Sequence, residues 1–135
     1  MSDMDEGGTW AMTANEGDID RWVEEGCDLA DQGRHAEAVA LFSRAIDAGE
    51  AWVGLNLGNS YLSLGEVERA IEAYRVGWVE GGEDNAGYNL RDALVDAGRD
   101  REAGEVEAEL RKRGYPVIQI EDAIAAANSG QTEQA

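Results

Sequence analysis

Three glycines, Gly33, Gly65 and Gly98, recur at spacings of 32 and 33 residues, and each is followed five positions later by an alanine: Ala38, Ala70 and Ala103. A fixed period on the order of 20 to 50 residues marks a stacked array, because one short supersecondary unit cannot bury its own apolar face and needs its neighbours to do so. Setting the glycines in register aligns other positions as well. Leu29, Tyr61 and Leu94 share one, Gly26 and Gly58 another, Phe42 and Tyr74 a third, Ala45 and Gly77 a fourth. Large and small residues at fixed offsets are the signature of faces that pack closely.

Within each window the apolar spacing is helical and breaks at the glycine. Residues 20–31 place Val23, Gly26, Cys27 and Ala30 on one helical face, and Gly33 then ends the helix in the left-handed conformation that glycine adopts most cheaply. Ala36, Val39, Ala40, Phe42 and Ile46 follow a period near 3.6 as far as Gly49. The second window predicts helices over 52–64 and 67–79, ending at Gly81-Gly82, and the third over 85–97 and 100–113. The last of these closes on Arg111-Lys112-Arg113, where cations complement the helix macrodipole. Six helices of 12–14 residues are therefore expected, in repeats covering about 19–50, 51–83 and 84–116. Residues 1–17, with Gly7-Gly8 and no periodicity, read as a flexible acidic tail; Trp10 and Met12 are its apolar exceptions. Pro116 and the apolar Ile118, Ile120, Ile124 and Ala127 suit a capping helix over 117–128 that closes a repeat domain of residues 18–128, and 129–135 reads as a disordered end.

Charge narrows the function. The chain has 29 Asp and Glu against 11 Lys and Arg, a formal net charge of −18, on a body that is 43% hydrophobic. The hydrophobic share argues for a folded domain, while the charge repels phosphates and anionic headgroups. Neither nucleic acid nor membrane is an expected partner. No apolar run of about 18 residues is present, and the start Met1-Ser2-Asp3-Met4-Asp5-Glu6 lacks the basic and apolar regions of a signal peptide; a cytoplasmic location is the expectation. The acidity is also uneven, since the first 31 residues hold ten acids and one base, Arg21.

At the residues that carry the register, the sequence resembles the tetratricopeptide repeat. Leu57-Gly58, Tyr61, Gly65, Ala70, Tyr74 and Gly77 follow that family's pattern almost throughout, and Trp22, Gly26, Gly33, Ala38, Phe42 and Ala45 follow it in the first window. The third keeps Leu90, Leu94, Gly98 and Ala103 but has Arg91 at the small position and Glu107 at the aromatic one. Asn56-Leu57-Gly58 and Tyr88-Asn89-Leu90 also look like the related Sel1-like repeat, whose longer period fits less well. The resemblance implies an all-α, right-handed α-solenoid of about three helix-turn-helix units plus the capping helix. In such packing Trp22, Phe42, Tyr61 and Tyr74 fill space between helices that small residues bring together.

No catalytic pattern stands out, and no enzyme activity or cofactor is expected. One histidine, His35, and one cysteine, Cys27, build neither a metal site nor a disulfide. His35 reads as a satisfied structural residue in the first turn and Cys27 as a semi-buried thiol. Gly81-Gly82-Glu83-Asp84 lacks the Gly-Lys-Ser/Thr of a phosphate loop. What the resemblance implies instead is a concave groove lined by the first helix of each pair. Its positions here are Asp20, Val23, Glu24, Cys27, Ala30 and Asp31; then Trp52, Leu55, Asn56, Asn59, Leu62 and Ser63; then Tyr88, Asn89, Asp92 and Asp96, with Asn85 at the rim. Asparagine amides both donate and accept, so Asn56, Asn59 and Asn89 suit a peptide backbone of any sequence. Without lysine or arginine at these positions, an acidic tail is not the expected ligand. The expected function is an adaptor, monomeric or weakly self-associating, that binds a basic or neutral peptide segment of another protein. The alternative is an acidic inhibitor or nucleic-acid mimic that masks a basic protein surface.

Overall fold

The computed structural model describes residues 15–117. They form six α-helices in three antiparallel pairs: α1 (Glu16–Asp31) with α2 (His35–Asp47), α3 (Gly54–Ser63) with α4 (Val67–Arg75), and α5 (Asp84–Asp96) with α6 (Asp100–Lys112). Each helix packs mainly on its neighbours in sequence, so the pairs stack in a row, and no strand occurs among the described residues. The chain is thus an all-α helical repeat solenoid, as the register predicted. The expected tail as far as residue 14, the capping helix beyond Val117 and the segment 129–135 lie outside the described residues.

The three turn glycines repeat one geometry. Gly33, Gly65 and Gly98 have φ of 80°, 78° and 76°, a region where a Cβ is strained. In each turn the residue after the glycine donates its N–H to the carbonyl of Leu29, Tyr61 or Leu94, at 2.8, 2.9 and 2.8 Å. That bond, with the glycine N–H bonded to Ala30, Leu62 or Val95, satisfies carbonyls that a helix end otherwise leaves unpaired.

Helix lengths depart from the expected 12–14 residues in three places. The first helix starts at Glu16, not residue 20, because the Asn15 side chain accepts the Asp18 N–H at 2.9 Å and caps it; Glu16 and Gly17, read as tail, are helical. The third is shortened to Gly54–Ser63 behind a 3-10 turn, Ala51–Val53. The fourth ends at Arg75 and continues as a π turn, Val76–Glu80. The chain segments around Gly54 and Gly77 lie backbone to backbone: a Cβ on Gly54 would sit 2.4 Å from the Ala73 carbonyl oxygen. Trp78, within the π turn, is buried against Gly87.

Two apolar clusters run along the row. Ile19, Ala38, Phe42, Ala45, Val53, Leu57 and Ala73 form the first; Ala70, Ile71, Tyr74, Trp78, Leu90, Leu94, Val106 and Leu110 belong to the second. In the first two pairs an aromatic ring fills the space over a glycine. A Cβ on Gly26 would lie 2.6 Å from the Phe42 ring, and one on Gly58 2.4 Å from that of Tyr74. The third pair uses charge at the same positions: Arg91 Nη1 lies 3.0 Å from Glu107 Oε1, with side-chain exposures of 16% and 13%. On the opposite side, Arg75 and Arg99 meet Glu102 at 2.6 and 2.7 Å, and Arg99 reaches Glu68 at 2.6 Å, tying α4 to α6. The hydrogen bond from Arg99 holds the Glu102 carboxyl below the usual carboxylate range.

Candidate functional site

The first helix of the middle pair, α3, has no charged residue, and a cleft lies on each side of it. The cleft toward α1, about 270 Å³, is lined by Cys27, Ala30 and Asp31 from α1, by Asn56, Asn59, Ser60 and Ser63 from α3, and by His35 and Phe42. The cleft toward α5, about 190 Å³, is lined by Asn59 and Leu62 on one side, Asn89, Asp92, Ala93 and Asp96 on the other, and Tyr74. Asn59 belongs to both, so the two form one surface interrupted by a single side chain. Among the described residues neither cleft is lined by lysine or arginine.

The asparagines are not the free amides their sequence positions suggest. Tyr74 donates its hydroxyl proton to Asn59 Oδ1 at 2.6 Å, and Asn89 Nδ2 donates to the same oxygen at 3.3 Å. The carbonyl is thereby occupied, and the NH2 of this exposed residue has no partner among the described residues. Asn56 Nδ2 donates to Cys27 Sγ at 3.5 Å across the first cleft. Burial pushes the Cys27 thiol pKa up; the bond from Asn56 opposes this, while Asp31 and Asp28 add to the rise. Cys27 is consequently a thiol and a poor nucleophile at neutral pH.

Tyr74 links core to surface. Its ring is fully buried while its hydroxyl supports the cleft through Asn59. Burial raises its pKa to about 12; hydrogen bonding to Asn89 works against the rise, and the charge of Asp92 adds to it.

Other predicted site residues are placed elsewhere. Asp20 lines a separate cleft with Glu16, Ile19 and Glu50, and Glu24 is exposed on α1 outside both groove clefts. Trp52, 40% exposed, donates its indole N–H to Glu50 at 2.6 Å in the turn before α3. Leu55 packs against the second apolar cluster. Tyr88 is engaged by the chain itself: its hydroxyl donates to the Pro116 carbonyl at 2.8 Å and its ring meets Tyr115 edge-on at 6.4 Å. Tyr115 also meets Trp78, over whose ring Arg113 sits at 4.5 Å. Residues 115–117 therefore cover what the sequence offers as an aromatic anchor.

Sequence reasoning missed His35, Ser60, Phe42, Tyr74 and Ala93 as cleft residues. For Tyr74 a signal existed, since a hydroxyl on an otherwise apolar packing position needs a partner. His35 is the first residue of α2, and its Nδ1 is buried with no hydrogen-bond partner among the described residues, contrary to the expectation of a satisfied structural histidine. Among the described residues no three His, Cys, Asp or Glu gather as a metal site, and no helix is long and apolar enough to cross a membrane.

A row of helical hairpins with polar clefts between first helices defines a helical-repeat interaction module. Residues 29–94 match the family model of the tetratricopeptide repeat, and over that span the chain is a member of the tetratricopeptide repeat family. The match runs from near the end of α1 to near the end of α5 and takes in the cleft residues except Cys27 and Asp96, while most of α1 and all of α6 lie outside it. No curated protein matches the chain. Membership carries a general function, protein–protein interaction, in a family whose repeats are typically non-catalytic.

Proposed function

We propose that the protein is a non-enzymatic adaptor that binds a basic or neutral peptide segment of a partner protein across the two clefts flanking α3. The observation that carries this reading is that the two clefts share Asn59, with the Asn56, Asn59 and Asn89 amides and the carboxylates Asp31, Asp92 and Asp96 in their lining. An extended segment crossing α3 would meet the Asn59 and Asn89 amides as backbone partners, and Leu62, 39% exposed, as an apolar contact. Acids in a lining that contains no lysine or arginine select against an acidic segment.

The test compares partner capture by the wild-type chain with capture by Asn56→Ala/Asn89→Ala. The variant is expected to lose most of the captured partner while its helical melt moves by no more than about 2 kcal/mol, the worth of two lost hydrogen bonds. Capture undiminished by the double substitution would place the binding surface elsewhere.

A further inference from the structure

Resting on that reading of the groove, we infer that the cleft between α3 and α5 is a subsite for one cationic side chain, an arginine or lysine of the bound segment. It is an open cleft of about 190 Å³, which a long side chain can enter from solvent. Its walls are graded. Leu62 offers apolar surface to a methylene stem, and Asp92 and Asp96 are both exposed at the same cleft, the arrangement that lets a long cationic side chain bury its stem and keep its head in polar surroundings.

The hydrogen-bond inventory points the same way. Tyr74 OH and the Asn89 amide N–H are already directed at Asn59 Oδ1, which leaves the two carboxylates and Asn89 Oδ1 as acceptors against one amide donor group, the Asn59 NH2. Arginine and lysine side chains bring donors alone. Arg91 is the local competitor, with Nε 2.8 Å from Asp92 Oδ1, but it also pairs with Glu107 at 3.0 Å. Arg91 therefore faces two carboxylates already, and Asp96, which has no ion pair among the described residues, supplies the remaining charge. The cleft toward α1 has one carboxylate, Asp31, amid neutral polar groups.

The same geometry sets a register. Clefts on either side of one helix lie about 10 Å apart, the width of a helix with its side chains, and an extended chain covers that in about three residues. The preferred segment has a basic residue about three positions from a neutral polar one.

The experiment is a titration of the 15N-labelled full chain with acetyl-Gly-Gly-Arg-Gly-Gly-amide, with the same peptide carrying lysine, and with its neutral isostere carrying citrulline, followed by amide chemical shifts. The arginine and lysine peptides are expected to shift Leu62, Asn89 and Asp96 and the side-chain NH2 signals of Asn59 and Asn89. Their binding should be about fivefold tighter than that of the citrulline peptide, the scale of an exposed ion pair. Asp96→Asn should erase that difference without moving the melt. Equal binding of charged and neutral peptides, a response indifferent to Asp96→Asn, or no response at the solubility limit would overturn the subsite. Equal shifts along α1, α3 and α5 would leave the groove standing without it, whereas shifts confined to α2, α4 and α6 would remove the groove reading as well.

Discussion

The second and third helix pairs solve one packing problem in two ways. In the second, Gly58 leaves a space that the fully buried Tyr74 ring occupies; in the third, the equivalent positions hold Arg91 and Glu107, paired at 3.0 Å. An aromatic ring over a glycine gains from burial and dispersion and tolerates little change of shape. An ion pair shielded from most solvent gains from its geometry but loses hydration, so its presence says less about stability than its disruption does. The difference also reaches the surface. Tyr74 passes its hydroxyl to Asn59, and Arg91 passes its Nε to the neighbourhood of Asp92. In each pair the interior residue helps set the chemistry of a cleft, once through a neutral hydrogen bond and once through charge.

The comparison can be broken most severely on its apolar side. Tyr74→Ala should lower stability by about 4 kcal/mol, as for a buried aromatic truncated over a site that cannot collapse, read as a lower urea midpoint at constant slope. On the charged side, Arg91→Ala should lower it by about 3 kcal/mol, because Glu107 is left without its main partner in a largely buried setting. The double change Arg91→Gly/Glu107→Tyr, which writes the second pair's solution into the third, should cost less than Arg91→Gly and Glu107→Tyr summed; a cost equal to that sum would mean the two positions are not coupled. Gly58→Ala comes next at about 2 kcal/mol, since the added methyl meets the Tyr74 ring and overpacking is the mechanism.

The smallest effect separates ring from hydroxyl. Tyr74→Phe should remove about 1 kcal/mol at neutral pH and also change the alkaline limb. The folded-state pKa of Tyr74 is raised from 10.0 to about 12, so the folded form holds its proton more tightly than the unfolded one. The stabilisation is complete below pH 10 and is lost as pH rises toward 12, by up to about 1.4 kcal/mol for each pH unit. Denaturant melts across that window should show the wild type falling and the phenylalanine variant lacking that contribution.

The repeat was legible because it is written in backbone demands. A glycine at 33, 65 and 98 answers a positive φ, and the alanines five residues on are buried at exposures of 0%, 0% and 3%. Such requirements leave few alternatives at a position. The groove was legible in outline only, as a list of residues on first helices, because register along a helix gives a face but not the partners met there. Tyr88 lies on that face and is covered by Pro116 and Tyr115, a contact made by residues 27 and 28 positions away. Asn59 lies on it too, and only the tertiary arrangement shows that its oxygen is taken while its NH2 is not. The start of α1 was missed for a simpler reason: residues 1–17 carry no apolar periodicity and read as tail, whereas an asparagine immediately ahead of a first turn is a cap.

Charge is divided between the two layers of the row. The first helices, α1, α3 and α5, carry ten acids and two bases; the second helices, α2, α4 and α6, carry nine and six. The molecule accordingly has a negative and a less negative side, and a positively charged chain diffusing toward it is turned to meet the negative side before any contact forms. This orienting effect acts on how fast partners find each other and fades with added salt, whereas the close contacts govern how long they stay.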